Sequence, residues 1–379
     1  MERKADFPLF NPVDFNLPEG VTHICAGGET AVLHRHQTAV ATYFSDKANG
    51  MPGRTAQEEK LQLVRRQIAA SWQVQPRDIG FVSNVAEGMS MLIESIHWRP
   101  GDNVCVYANE YPSLVSTLSL QKQKMELRLA QSIVPQEMAR HIDNRTRLIA
   151  VSYISYLNGE RADLMKLREL ADAVGAMLVV DYTQAAGYLP INADIADFAF
   201  SACYKWLLGV TGTAIAYWNS RRRPDWRPLS AGWHSISIGT KRPDYLGELT
   251  LHQDALCFTR GNPSHISLYV LSSALDYLSA FDMHRVEAHI RQLTVPLLAA
   301  LVDHSISTST PAEPHRHGAS VCIDTPHNAE VVALLREEKI FAWGGRGRVR
   351  FSFHGYNTLA DVAHLIEVLP RIKELCVNS

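Results

Sequence analysis

The sequence has little of what would tie it to a membrane, to nucleic acid or to a disulfide scaffold. No apolar run reaches the roughly 20 residues that a membrane-spanning helix needs, and the opening MERKADFPLF lacks the apolar stretch of a secretory signal. Neither charge sign dominates: 37 basic residues stand against 39 acidic ones, so no broad positive field gathers phosphate backbones. The six cysteines (Cys25, Cys105, Cys203, Cys257, Cys322 and Cys376) are scattered without a C-x-x-C pair, which implies neither a disulfide framework nor a zinc knuckle. Pro/Gly-rich tracts and single-charge blocks, the marks of disorder, are missing as well. These absences lead us to expect a cytoplasmic protein with no membrane or nucleic-acid partner.

What is present is a chain of 379 residues, 46% hydrophobic and 20% charged, long enough for a large domain and a smaller one. Short β-rich runs at 80–83, 103–107, 148–153, 177–181, 198–200 and 213–218 are too brief for core helices. Stretches with apolar residues at helical spacing separate several of them: 55–72, 86–97, and 163–174 behind the potential cap Asp163. Strand alternating with helix predicts an α/β fold with a mainly parallel sheet flanked by helices. After Trp218 the character changes to a connector with Pro and Arg, then a helix at 267–280, then a β/α stretch broken by Gly344–Gly347. Thr358 and Asp361 resemble a capping box that opens a last helix to about Leu375. We expect an N-terminal arm with part of a small domain at 1–54, a large domain at 55–255, and a smaller C-terminal α+β domain at 256–379.

The chemistry concentrates in residues 179–213, VVDYTQAAGYLPINADIADFAFSACYKWLLGVTGT. Asp181 closes an apolar strand, and the carboxyl end of a parallel strand is where ligands bind in open α/β sheets. Taken alone, Asp181 reads sooner as a turn or helix-cap residue. Lys205 follows two dozen residues on, between Tyr204 and Trp206, in a loop with Gly209 and Gly212. A lysine in apolar surroundings has its amine desolvated and its pKa lowered, which makes it a nucleophile and proton carrier; alone, it reads as a snorkelling surface lysine. A carboxylate paired with a downstream lysine is what pyridoxal phosphate (PLP) chemistry requires, the acid to keep the pyridine nitrogen protonated and the amine to hold the aldehyde.

The segments DYTQAAGYLPI, ADFAFSACYKWLLG and VRFSFHGYNTLADV resemble the class V aminotransferase family of fold-type I PLP enzymes, whose members include cysteine desulfurases, kynureninases and isopenicillin N epimerase-like proteins. The resemblance runs from about Thr22 to the C-terminus. It implies PLP as cofactor, a small amino acid as substrate, and a homodimer with its active sites at the interface. Carried over position by position, it makes Lys205 the Schiff-base lysine, Asp181 the partner of the pyridine nitrogen, and Gln184 the partner of the ring hydroxyl. In SNVAEGMSML it makes Val85 and Ala86 donors of backbone N–H groups to the phosphate at a helix start, although Asn84 there suits an ordinary capped helix equally. Tyr111 in NEYPSLV matches the aromatic residue or His that stacks on the cofactor, and Tyr204 matches the Tyr that reaches the phosphate in kynureninase-like members. Arg350 matches the arginine that grips the substrate α-carboxylate, for which a planar bidentate donor is suited. Asn262 in FTRGNPSH matches the segment that crosses to the other subunit's phosphate, and Trp233 in SAGWHSIS falls in a loop that shapes the substrate pocket. Tyr356 and Asn357 are expected to serve structure.

Two departures from the family pattern bear on function. Relatives place a phosphate-binding Ser three residues before the lysine, where this chain has Ala202; Ser201 or Cys203 is the expected substitute. Desulfurases carry a nucleophilic Cys some fifteen residues before the carboxylate-binding arginine, and no Cys occurs between Glu337 and Arg350. Persulfide chemistry is therefore disfavoured unless Cys257 or Cys322 supplies the thiol. Transamination is the nominal expectation, with Cβ or C–S lyase chemistry and epimerisation as competitors, and a non-catalytic PLP-fold binding module as the reading of another class. The H-x-H pairs His34/His36 and His315/His317 lack neighbouring acids or thiols, so no metal site is expected. The Gly344–Arg348 stretch reads as a substrate loop ahead of Arg350, since no aromatic platform surrounds it for RNA.

Overall fold

The computed structural model describes residues 5–237 and 249–377. The chain runs from Thr22–His23 (β1) through the paired helices His36–Ala48 (α1) and Gly50–Trp72 (α2) into a seven-stranded sheet. Its strands are Ile79–Val82 (β2), Asn103–Tyr107 (β3), Glu126–Ala130 (β4), Thr146–Ser152 (β5), Met177–Asp181 (β6), Phe198–Ala202 (β7) and Ala214–Trp218 (β8). Helices Val85–Ser95 (α3), Pro112–Leu120 (α4), Pro135–Ala139 (α5) and Leu164–Val174 (α6) lie in the connections. The spatial order is β2-β8-β7-β6-β5-β3-β4; β8 runs antiparallel to both its neighbours and the other pairings are parallel. The rest of the chain forms His265–Leu278 (α7), Met283–Asp303 (α8), Ser320–Asp324 (β9), Asn328–Glu337 (α9), Ile340–Phe341 (β10), Trp343–Gly345 (β11), Arg348–Ser352 (β12) and Leu359–Val377 (α10).

The period of two along a strand explains both cores. Val179, Phe198, Phe200, Ala214 and Ala216 join the α3 and α4 side chains on one face, while Leu178, Val180, Ala199, Ile215 and Tyr217 join those of α2, α7 and α8 on the other. Local signals set the helix ends. Asn84 accepts the Glu87 N–H at the start of α3, Asp163 accepts the Lys166 N–H at the start of α6, and Gly175, at φ +70°, ends α6. Asp197, fully buried, accepts from Arg168 at 2.6 Å, from Arg223 at 2.7 Å and from the Leu178 N–H at 2.7 Å, and so pins α6 to the sheet.

Beyond the large sheet, β9 and β12 pair antiparallel and β11 pairs with β12. Arg346 (φ +54°) and Gly347 (φ +76°) make the turn between β11 and β12, the left-handed pair that suits a two-residue hairpin. The expected glycine-rich break at 344–347 is therefore strand and hairpin. The N-terminal β1 pairs with β10, so the arm folds onto the C-terminal part. The Thr358 N–H donates to Asp361 Oδ2 at 2.8 Å, the reciprocal arm of the capping box. Each boundary of the expected domain division falls in a helical segment: α2 runs across residues 54 and 55, and a 3-10 turn Ala255–Phe258 across 255 and 256.

Candidate active site

Strand ends at one rim of the large sheet carry the polar residues. Asp181 closes β6 beside Ser152, which closes β5, and their Cα positions are register partners. The alternation that puts Val179 on the α3 face puts Asp181 there too. Asp181 is 3% exposed. Its Oδ1 accepts the Thr183 N–H at 2.8 Å, and the Thr183 side chain also contacts the carboxylate. Burial pushes its carboxyl up, opposed by the Thr183 contacts and by the charge of Lys205.

The lysine is held by a loop with almost no freedom. The Lys205 carbonyl accepts the Leu208 N–H at 2.8 Å and the Cys203 carbonyl accepts the Gly209 N–H at 2.8 Å, a turn tight enough to hold Leu208 at φ +59°. Trp206 Nε1 donates to the Phe353 carbonyl at 3.2 Å, and the Trp206 carbonyl lies 3.0 Å from His354 Nε2. Burial keeps His354 neutral, its pKa near 3, and the Gly355 N–H donates to Nδ1, so Nε2 carries the proton and donates to Trp206. A Cβ on Gly187 (φ +110°) would lie 2.1 Å from that same Trp206 carbonyl oxygen. Lys205 is 6% exposed, and its Nζ lies 5.5 Å from the centroids of both the Tyr111 and Tyr204 rings. Burial first, and Arg350 second, pull its ammonium down to about 8, against Asp181 and Glu29. An amine so placed is a usable base and nucleophile near neutral pH.

Sequence reasoning missed the residue that seats Tyr111. Glu110 is buried, and its carboxylate accepts the Ser152 N–H at 2.9 Å, the Ser152 hydroxyl at 2.6 Å and the Tyr111 N–H at 2.7 Å. It thereby ties the aromatic residue to the strand beside Asp181. Burial pushes the Glu110 carboxyl up despite these bonds, and the charge of Asp181 adds to the effect. No local pattern in NEYPS reveals this role, because the partner is 42 residues away.

Arg350 reaches the site from the small sheet. It is 4% exposed, donates from Nη1 to the Tyr156 carbonyl at 3.0 Å, and lies 4.9 Å from the Trp343 ring. The Tyr156 ring packs edge-on against Tyr111 at 5.0 Å, which links this wall to Lys205. Gly27 and Gly28 let the N-terminal arm close against it: a Cβ on Gly27 would meet Ser352, Trp206 and Arg350 within 3.1 Å, and one on Gly28 would meet Trp343 at 2.8 Å. Gln184 sends its Nε2 to the Gly27 carbonyl at 3.1 Å. Neither Tyr156 nor Trp343 was singled out from sequence.

At the start of α3 the N–H groups of Val85 and Ala86 carry no hydrogen bond among the described residues, while Glu87 N–H is taken by Asn84. Two free donors at a helix N-terminus suit an anion. Ser201 is not brought to this place. Its strand parity matches Ala199 and Cys203 on the opposite face, it is fully buried, and its hydroxyl donates to the Ala202 carbonyl at 3.1 Å. The adjacent Ala202, which faces α3, leaves the usual serine's position without a hydroxyl. Cys203 is buried too, its thiol pushed up to about 12. Asn262 lines a small pocket with Ser83 and Glu87 at the start of α3; Arg54 donates to its Oδ1, and the Arg54 guanidinium lies 5.6 Å from the half-exposed Trp233 ring. No hydrogen bond, ion pair or ring contact among the described residues joins either to Lys205, Asp181 or Arg350.

Residues 29–365 match the aminotransferase class-V family. The chain belongs to that family. A protein named as a probable cysteine desulfurase from Pseudomonas aeruginosa is 27% identical over 410 residues, covering 98% of each chain. A kynureninase from Pseudomonas fluorescens is 28% identical over 264 residues, 66% of this chain and 61% of that one. Among solved structures, the apo cysteine desulfurase from Thermococcus onnurineus superposes with a TM-score of 0.86 at 21% identity, covering 96% of this chain and 97% of that one. The cystine C–S lyase C-DES gives 0.83 at 19% identity, covering 94% and 98%. The architecture is that of the fold-type I enzymes, as the sequence predicted, and membership of the family makes the chain a PLP-dependent enzyme. Among the described residues no helix is long and apolar enough to cross a membrane.

Proposed function

We propose that the chain holds PLP on Lys205 and acts at the α-carbon of a small amino acid. The observation that carries this reading is the convergence of three buried groups: an amine lowered to about 8, and the Asp181 and Arg350 charges that both act on it. The fit to PLP rests on what the other residues leave unused. The Asp181 carboxylate, held within the chain by Thr183, keeps lone pairs for a ring N–H, Val85 and Ala86 offer N–H groups to a phosphate, and Arg350 Nε is buried without a partner. When bound, PLP supplies an electron sink for the pair left behind as a bond to the α-carbon breaks.

Arg350 receives the α-carboxylate, and its stacking on Trp343 fixes the plane of the fork. Tyr111 covers the ring of the cofactor, Gln184 reaches its hydroxyl, and Tyr204 and the α3 N-terminus hold its phosphate. Lys205 Nζ takes the α-proton and returns it, a task suited to an amine with a pKa near the working pH. Asp181 gains from a cationic N–H partner what burial costs it. Trp233 and Asn262 serve the neighbouring subunit of a homodimer. A separate apolar groove of about 470 Å³, lined by Val32, Val40, Phe44, Val210 and Val270, supports a second copy. A monomer at micromolar concentration in equilibrium sedimentation would exclude that arrangement.

Transamination remains the nominal reaction. A C–S lyase reaction is the second reading, favoured by the names of the relatives. The thiols argue against a persulfide route: burial pushes Cys257 up to about 12 and Cys322 to about 11, and it raises half-buried Cys25 as well. A lyase here would work by elimination without a protein thiolate. Borohydride reduction of the PLP-saturated protein followed by peptide mapping tests the whole reading, which fails if no pyridoxyl group is found on Lys205. Keto acid, ammonia, sulfide and inverted enantiomer, measured over a panel of amino acids, then separate the reactions.

A further inference from the structure

We propose that Arg348 is a second anion-binding residue of this site and that the substrate carries an acidic group on its side chain, as aspartate and glutamate do. The inference builds on the reading above, in which Arg350 takes the α-carboxylate.

Among the described residues four arginines are buried: Arg65, Arg168, Arg348 and Arg350. Arg65 pairs with Asp254 at 2.7 Å, and Arg168 pairs with Asp197 at 2.6 Å. Arg348 and Arg350 form no ion pair among the described residues. Buried charges are as a rule paired, because an unpaired one forfeits its hydration without return. Two buried cations side by side without a carboxylate are the chain's departure from its own pattern.

Their geometry is convergent. Residues two apart on β12 point to one side, and both guanidiniums reach the same carbonyl oxygen, that of Tyr156, at 3.0 Å from Arg350 Nη1 and 3.4 Å from Arg348 Nη2. Both lie against the Trp343 ring, at 4.9 and 5.0 Å, and Arg348 also lies 4.9 Å from the Tyr156 ring. Each Nε is buried without a hydrogen-bond partner. The Tyr156 ring in turn packs on Tyr111, which faces Lys205. Arg348 therefore stands on the same wall as Arg350, planar and held by two aromatic faces, with donors that no protein group uses. Nearby acids do not neutralise it. Asp324, its cross-strand neighbour, is exposed and bonds Ser309, and Glu29 is exposed. A substrate with one carboxylate leaves one cation uncompensated. A dicarboxylic amino acid satisfies both.

The test uses the PLP-loaded enzyme and isosteric pairs: aspartate against asparagine, and glutamate against glutamine. The readouts are the concentration giving half the change in the cofactor's visible absorbance, and kcat/KM for product. We expect at least one acid to be preferred over its amide by tenfold or more, R348M to bring the ratio close to one, and R348K to keep part of it. Equal binding of acids and amides by the wild type overturns the inference and leaves the reading beneath it standing. Equal weakening of acid and amide by R348M also overturns it, since Arg348 would then serve the α-carboxylate or the architecture. If no amino acid changes the absorbance, both the inference and the underlying reading fail. Should R348M not fold, the wild-type ratio alone decides.

Discussion

The buried amine of Lys205 has a consequence that can be measured without knowing the substrate. An ordinary lysine, with a pKa of about 10.4, is neutral in only about 0.04% of molecules at pH 7. With its ammonium pulled down to about 8, Lys205 is neutral in roughly a tenth, on the order of 200 times more. Only the neutral amine attacks an aldehyde, so the rate at which cofactor-free protein captures PLP should climb with pH and level off above a midpoint near 8. The assay is capture for fixed times at each pH, quenched with borohydride, with the adduct on the peptide containing residue 205 quantified by mass spectrometry. The causes have signs of their own. Arg350 lowers the lysine and Glu29 raises it, so R350Q should move the midpoint up and E29Q should move it down. A wild-type midpoint near 10, or the same midpoint in all three proteins, would refute the argument from desolvation and local charge.

Replacing Lys205 should also stabilise the cofactor-free protein. Its amine is depressed in the folded state, so the unfolded chain binds more protons between about pH 8 and 10.4 and wild-type stability rises with pH across that window. K205M should be more stable than wild type by about 3 kcal/mol below pH 8, with the advantage fading towards pH 10.5, as read from urea melts at each pH. G187A should destabilise by more than about 1 kcal/mol, because a left-handed backbone and a carbonyl oxygen at 2.1 Å from the new Cβ both oppose it, and it should weaken PLP retention by moving Trp206. E110A leaves the Ser152 and Tyr111 donors without their acceptor, a loss of about 2–5 kcal/mol; fluorescence of bound PLP should report a loosened Tyr111. D197A takes the buried carboxylate from Arg168 and Arg223, leaving Arg168 only the exposed Asp172 at 2.9 Å, and should cost about 3 kcal/mol in melting experiments while leaving the affinity for PLP close to normal.

How far the sequence could be read depended on how local each signal was. Met177–Asp181 and Asn103–Tyr107 were visible because central parallel strands are continuous apolar runs, and α6 was visible because cap, spacing and terminal glycine agree. The edge strand Glu126–Ala130 escaped notice, since only Ala130 of its five residues is buried and no continuous apolar run marks it. Helix α1 also escaped: only His36 of its thirteen residues is buried, so no apolar stripe marks it. Among candidate site residues, Asp181 and Lys205 could be named because motif and chemistry coincided, whereas Tyr111 and Arg350 could be named only from the family resemblance, since alone one reads as core and the other as a solvated charge. Ser201 was a natural choice by proximity to Ala202, yet one step along a strand reverses the face. Glu110 and Tyr156 act through partners dozens to hundreds of residues away, and Trp343 meets Arg348 and Arg350 only because a tight hairpin folds β11 back onto β12, which nothing in the local pattern announces.

The two halves of the site are secured differently, and this bears on which reaction the protein performs. The half built around Lys205 is pinned from several sides: Trp206 bonds to Phe353 and His354, Gly187 is pressed against the Trp206 carbonyl, and Gln184 is tied to Gly27. Such a lysine cannot be moved by small changes, so it is suited to the step that every enzyme of this architecture shares. The half built around Arg350 lies on β12, which is backed by β9 on one side but on the other carries only the short β11 hairpin strand, whose turn is Arg346 and Gly347, and meets the arm at a bare glycine surface of Gly27 and Gly28. Substitutions there change which groups face the substrate and, at Arg350, the charge felt by Lys205, while leaving the lysine's loop in place. Selectivity between substrates, and between the α-carbon bonds that can be broken, should therefore respond to the residues beside Trp343 far more than to those beside Trp206.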